Sequence, residues 1–186
     1  RKNVLGQIEY LQQPLGASIS YSYDADGNLV QTTDSAGNHI LISYDNLGNK
    51  IAIDDPDKGQ WQYGYNAFGE LTSQRDGNNN SSTFSYDKLG RMLSKEWPAV
   101  GGGTEQSSWQ YDSDNGIGLL HREVGANNFA KTYSYDSLSR PAKIQTQLQE
   151  KQLTVLNEYD EYSRLKRQTR PGARGEFVVE NLYSDN

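Results

Sequence analysis

Three oxygen-bearing side chains at alternate positions, Asp24, Asp26 and Asn28, are the first residues here that could do chemistry, since such runs hold hard cations. A calcium loop of that kind has its glycine sixth and closes on a bidentate glutamate. Here Gly27 comes fourth and no such glutamate follows, so turn capping is the better reading. His39 and His121 are the only histidines, far apart in a chain without cysteine, which argues against a zinc site and a Cys/His nucleophile. The serines mostly alternate with other residues and form no G-x-S-x-G elbow, and no Walker-type loop is present to cradle phosphate. Tyr21, Tyr63, Phe84, Trp109 and Tyr133 could stack on sugars. Their regular recurrence fits better a sheet held by cross-strand aromatic pairs, worth roughly 0.2–1 kcal/mol each. No cofactor, metal or catalytic residue is expected.

Those aromatics belong to a repeat that organises the chain. Tyr21-Ser22-Tyr23-Asp24-Ala25-Asp26-Gly27 returns as Tyr44-Asp45 with Gly48, Tyr65-Asn66 with Gly69, and Tyr86-Asp87 with Gly90 and Arg91. Less complete copies follow at Tyr111-Asp112, Tyr135-Asp136 and Tyr159-Asp160. The intervals between these tyrosines are 21, 21, 21, 25, 24 and 24 residues, and a near-fixed period of that size marks a repeat architecture. Ile19, Tyr21 and Tyr23 alternate with serines, the period of a half-buried strand. In the Asp-x-x-Gly that follows, the carboxylate accepts a backbone N–H two residues on, and glycine takes the positive φ of a bulged hairpin. A second strand from Leu29 to Thr33 and a second turn at residues 34–37 complete a unit of two strands and two turns. The expected fold is all-β: tandem hairpins forming a curved antiparallel sheet. Residues 1–18 would end a preceding repeat, and residues 19–186 hold seven copies and an eighth, Tyr183-Ser184-Asp185-Asn186, cut off before its glycine at an experimental or proteolytic boundary.

Some stretches depart from the pattern. Residues 97–105, with Pro98 and three glycines from Gly101, read as an enlarged loop, and residues 142–156 carry a weak helical periodicity. Ser139 and Ser163 stand where the turn glycine should be, and residues 112–116 hold one residue too many, so these turns are expected to differ from the earlier ones. On that reading Gly69→Val damages the fold more than Ser139→Val.

Only 34% of the 186 residues are hydrophobic and the mean hydropathy is -0.87, which points to a thin structure without a thick core. The 13 Tyr, 3 Trp and 4 Phe, mostly at repeating positions, argue against disorder. A net charge of -6 gives no basic footprint for nucleic acid or anionic membrane. No apolar run reaches the roughly 18–20 residues of a membrane span, and no signal-peptide stretch follows Arg1.

Tyr-x-Tyr-Asp-x-x-Gly-Arg units at this interval, nearest at Phe84-Ser85-Tyr86-Asp87-Lys88-Leu89-Gly90-Arg91, resemble the YD repeats of the Rhs family. That family includes bacterial polymorphic toxins, C components of ABC toxin complexes, wall-associated toxins and animal teneurins. The resemblance covers roughly residues 19–186 and implies hairpins that spiral into a hollow β-shell around a C-terminal toxin domain. In the family that domain follows an Asp-Pro-x-Gly-Leu self-cleavage sequence. The only Asp-Pro here, Asp55-Pro56, has its glycine one place late and no leucine, so no catalytic residue carries over. The resemblance thus implies a shell segment of a secreted or cell-surface protein, not an enzyme, with flanking repeats and an enclosed toxin as partners. A cell-surface adhesion or glycan-binding module is the other reading it supports. About 14 strands at ~4.8 Å would close into a ring only ~21 Å across, too narrow for a folded 100-residue domain with a radius of gyration near ~13 Å. The stretch is therefore expected to be an arc that relies on flanking repeats or on self-association.

Overall fold

The structure, a computed structural model, describes residues 1–173 and 175–184. It divides into two compact units, Arg1–Phe84 and Ser85–Asn186. The first holds β1 (Tyr10–Gln12), β2 (Ser18–Tyr23), β3 (Leu29–Asp34), β4 (His39–Tyr44), β5 (Lys50–Asp55), β6 (Gly59–Tyr65), β7 (Leu71–Arg75) and most of β8 (Ser81–Tyr86). The second holds β9 (Met92–Pro98), β10 (Thr104–Ser113), β11 (Gly116–Gly125), β12 (Phe129–Tyr135), β13 (Pro141–Leu148), β14 (Lys151–Tyr159), β15 (Leu165–Gly172) and β16 (Gly175–Glu180). Within each unit, strand order is chain order and pairing is antiparallel. Among the described residues the one helical element is a 3-10 turn, Pro14–Gly16.

The period-two alternation read from the sequence is the burial pattern observed. In β2, β4, β6 and β8, half-buried Tyr21, Ile40, Ile42, Trp61, Tyr63 and Phe84 alternate with exposed Ser20, Leu41, Gln62 and Thr83. Register continues the half-buried face from strand to strand: Tyr21 opposite Thr32 opposite Ile40, and Ile42 opposite Ile53 opposite Trp61. Nothing covers this face fully. No described hydrophobic side chain is buried, and Thr169 is the one buried polar residue among them. The accessible surface is 13106 Å², against about 9,000 Å² for a compact monomer of this mass. Backbone ladders and turns, rather than a core, therefore carry the fold.

Five hairpins closed by a Tyr-Asp or Tyr-Asn turn also carry a one-residue bulge in the same place. Tyr23 pairs with Leu29 while Ser22 pairs with Gln31, so Val30 is extra, and Ile51, Thr72, Ala142 and Lys166 are its equivalents. A bulge raises local twist and resets which side chains share a face.

Two sequence expectations are corrected here. Residues 142–156 are not helical: β13 and β14 run through them, their β-branched residues satisfied by cross-strand neighbours such as Ile144 opposite Val155. The enlarged loop is shorter than residues 97–105, because the ladder continues through Glu105 opposite Trp97 and Thr104 opposite Pro98, leaving only residues 99–103. Residues 1–18, expected to end a preceding repeat, contain one turn of the repeat type that the sequence reading does not mark. Asn3 forms a complete repeat-type turn, with its N–H on Gln7 O at 2.9 Å and its Oδ1 accepting Leu5 N and Gln7 N at 3.0 and 2.9 Å. The turn at residues 112–116 differs from the earlier ones, as expected from its spacing. It is a two-residue loop, Asp114 and Asn115, with Ser113 paired to Gly116. Of the truncated eighth copy, Asp185 and Asn186 lie outside the described residues.

Because the apolar face is only half-buried, Ile53→Ala should cost about 1 kcal/mol, below the 2–5 kcal/mol of a core truncation, as read from urea denaturation midpoints.

Candidate functional site

The recurring device is a closed turn around one side chain. In residues 24–28, Asp24 N–H donates to Asn28 O (3.0 Å) and Gly27 N–H to Asp24 O (3.2 Å). Asp24 Oδ1 accepts Asp26 N (3.0 Å) and Asn28 N (2.8 Å), while Oδ2 accepts Asn28 Nδ2 (3.0 Å). Donors of its own turn occupy both carboxylate oxygens, the arrangement of a cap rather than of a cation ligand. The same box recurs at Asp34, Asp45, Asp76, Asp87, Asp136 and Asp160.

The fourth residue after the acid completes the box, and its chemistry follows that of its partner. Aspartate is met by a donor: Asn28, Asn38, Asn49, Asn80, Arg91, Arg140 or Arg164. Where asparagine replaces aspartate, the partner is an acceptor: Asn66 Nδ2 donates to Glu70 Oε2 (2.6 Å) and Asn3 Nδ2 to Gln7 Oε1 (2.7 Å). Of these partners the sequence reading singles out Arg91, as part of the repeat, and Asn28, as a candidate cation ligand, although the donor–acceptor exchange is visible there once the turn is known.

Gly27, Gly48, Gly69 and Gly90 take positive φ as expected, between 76° and 86°. Ser139 (φ 59°) and Ser163 (φ 64°) do the same, which corrects the expectation of a different turn there. The box holds these serines in the left-handed region despite their Cβ. Asp112 is the exception: itself at φ 65°, it caps no turn of its own but accepts Gly118 N (2.7 Å) and a bidentate pair from Arg91 Nη1 and Nη2 (3.0 and 2.7 Å).

The tyrosine before each acid joins one copy to the one before. Tyr23, Tyr44, Tyr65 and Tyr135 hydroxyls donate to the carbonyls of Ile8, Leu29, Lys50 and Leu120, each 15 residues upstream, at 2.9, 3.1, 3.0 and 2.6 Å. Tyr111 reaches Met92, Tyr159 reaches Pro141 and Tyr183 reaches Leu165 in the same way. These carbonyls lie just past the end of a ladder: β3 and β4 pair only as far as Gln31 and Leu41, so Leu29 O gains from Tyr44 the partner that the splayed strand withholds. Arginine adds a second link. Arg91 lies over Tyr111, Arg140 over Tyr159 and Arg164 over Tyr183, at 4.5, 4.5 and 4.3 Å to the ring centroids, and Arg140 Nη1 also donates to Ser163 Oγ at 3.0 Å.

The other candidates resolve separately. Four of the five expected aromatics have no aromatic cross-strand partner in the strand register, since Tyr21, Tyr63, Trp109 and Tyr133 face Thr32, Gln74, Glu123 and Ile144. Lys50 and Lys131 lie over Tyr63 and Tyr133 instead. His39 Nδ1 sits 2.9 Å from both Gln31 Nε2 and Thr33 Oγ1, and His121 Nδ1 is 3.1 Å from Tyr133 O. Asp55, beside Pro56, caps Asp57 N and Lys58 N at 2.9 and 3.2 Å. No group of three or more His, Cys, Asp or Glu among the described residues could hold a metal.

Hairpins of this kind, clasped copy to copy and without a core, define a β-repeat wall. The profile of the teneurin YD-shell family matches residues 2–156, and the chain belongs to that family. A comparison with curated proteins yields no significant match. Among solved structures, the chain is similar to the TcdB2-TccC3 complex (TM-score 0.73, 15% identity, 96% of this chain and 12% of that one). It is similar also to the Tc holotoxin pore of Photorhabdus luminescens (TM-score 0.68, 16% identity, 88% and 9%). The chain thus spans about a tenth of the length of these structures, and at such identity the likeness is one of fold.

Ser139→Gly should raise stability by ~0.5–1 kcal/mol, left-handed strain released less the extra freedom of unfolded glycine. Ser139→Val and Gly69→Val should each lower it by about 1–3 kcal/mol; thermal melts of the three variants check this.

Hydrogen bonds from the Asn28, Asn38, Asn49 and Asn80 side chains hold Asp24, Asp34, Asp45 and Asp76 below the ordinary carboxylate range. The Arg91 guanidinium brings Asp112 to about 2. Folded values below unfolded ones mean stability that is complete above about pH 4 and lost as pH falls toward 2. Tm should therefore be flat from pH 7 to 5 and drop between 4 and 2, and Asp112→Asn should flatten part of that drop.

Proposed function

We propose that this chain is a structural segment of a YD-shell wall, in a secreted or cell-surface protein whose shell encloses and delivers a C-terminal toxin domain. The observation that carries the reading is the recurrence of copy-to-copy tyrosine clasps within each unit, on a sheet that buries no hydrophobic side chain among the described residues. Such a sheet gains its order from neighbouring copies and leaves its half-buried face to what lies against it. Similarity to structures titled as Tc toxin assemblies supports the toxin setting, and membership of the YD-shell family supports a structural role. Flanking repeats are its partners under this reading.

The test fuses one reporter domain after the 186-residue chain and after a chain lengthened with further YD copies, then adds protease to both. The lengthened form should shield the reporter and the short form should not. Equal protection by the two would refute the wall-segment role, and no protection by either would refute enclosure.

A further inference from the structure

One copy departs from its neighbours at a position that builds a recess. Four residues before the clasping tyrosine stand Ile19, Ile40 and Ser82 in three copies of the first unit, but Trp61 in the fourth. Trp61 lies beside Tyr63 on the same face of β6, with ring centroids 6.5 Å apart and planes within 23°, a nearly continuous aromatic surface. It closes one side of a recess of about 210 Å³ lined also by Ile53, Asp55, Lys58 and Tyr63.

The recess is held in place from behind. Trp61 Nε1 donates to Lys58 O at 3.2 Å, which fixes the indole edge against the turn at residues 55–59. That turn is braced in turn by Gly77: a Cβ there would stand 2.1 Å from Lys58 O and 3.0 Å from Gly59 Cα, so only glycine permits the approach. Asp55 Oδ1 is committed to capping Asp57 N and Lys58 N, and both Asp55 and the exposed Lys58 line the recess. Lys50 lies over Tyr63 at 5.2 Å, which leaves Trp61 as the stacking ring.

We infer that this recess is a glycan subsite taking one pyranose ring, its apolar face on Trp61 and its hydroxyls on the Asp55 carboxylate and the Lys58 ammonium. The volume suits a single sugar rather than a larger ligand. An extended peptide would need a free strand edge, and β6 is paired on both sides, to β5 and to β7. The assignment narrows the aromatic candidates to one pair, and it stands independently of the enclosure proposed above.

The experiment screens the chain against an array of neutral hexose and N-acetylhexosamine oligosaccharides, then titrates the strongest binders in solution by tryptophan fluorescence. Trp61→Ile, which restores the residue of the two preceding copies, should weaken binding at least tenfold, and Lys58→Ala, at an exposed position, at least threefold. Trp109→Phe should leave it unchanged. The proposal is overturned if no oligosaccharide binds at millimolar concentration, if Trp61→Ile or Lys58→Ala binds as the parent does, or if a reduced, alkylated unfolded polypeptide binds at Trp61 and sugars do not.

Discussion

A carboxylate that must satisfy three donors of its own turn is the constraint on which this fold depends. Asp45 shows it plainly: Leu47 N, Asn49 N and Asn49 Nδ2 all converge on its two oxygens. A sheet without a buried core cannot rely on packing to choose its register, so the choice passes to the turns. Each box sets where one strand ends and the next begins, and the bulge that follows sets which side chains share a face. The exchange of Asn66 with Glu70 for Asp with Asn shows that the bonds are required rather than the charge.

Tyrosine then turns a series of hairpins into an array. The hydroxyl of Tyr65 lies on Lys50 O, across a gap where β5 and β6 have stopped pairing beyond Ala52 and Gln62. Strands splay there because the hairpin is closed by its turn at residues 55–59 at one end and by none at the other, and the phenol donates to the carbonyl so exposed. Each clasp joins only neighbours, which is the condition for a quasi-one-dimensional repeat protein. The two units differ in how much they add. Asn28 and Asn49 close their own turns and reach no further, whereas Arg91 closes the turn on Asp87 and continues to Asp112 and Tyr111.

Much of this was legible in the sequence because it is local. Alternation around Tyr21 and Tyr23, and the spacing of Asp24 and Gly27, specify strand and turn within a few residues, and a period of 21 repeats the message. What escaped reading is what local chemistry does not state. Asn3 was missed because Lys2 stands where the tyrosine should be, although Asn3 and Gly6 lie 21 residues before Asp24 and Gly27. Ser139 misled because glycine was taken as a condition of positive φ, when the box around Asp136 holds serine there. The tyrosine clasps depend on strands parting at a particular ladder end, which only register reveals.

Low identity to structures of the same fold follows from these same rules. A core constrains many side chains by volume, whereas this wall constrains a tyrosine, an acid or its amide, a residue tolerant of positive φ and one complementary partner in each copy. The remaining strand positions need only alternate, so 15% identity coexists with a TM-score of 0.73 over 96% of the chain. It also means that a position can change character without loss of fold. Trp61 in place of isoleucine is such a change: the clasp of Tyr65 and the box of Asn66 are intact beside it, and the new ring is free to act on something other than the wall.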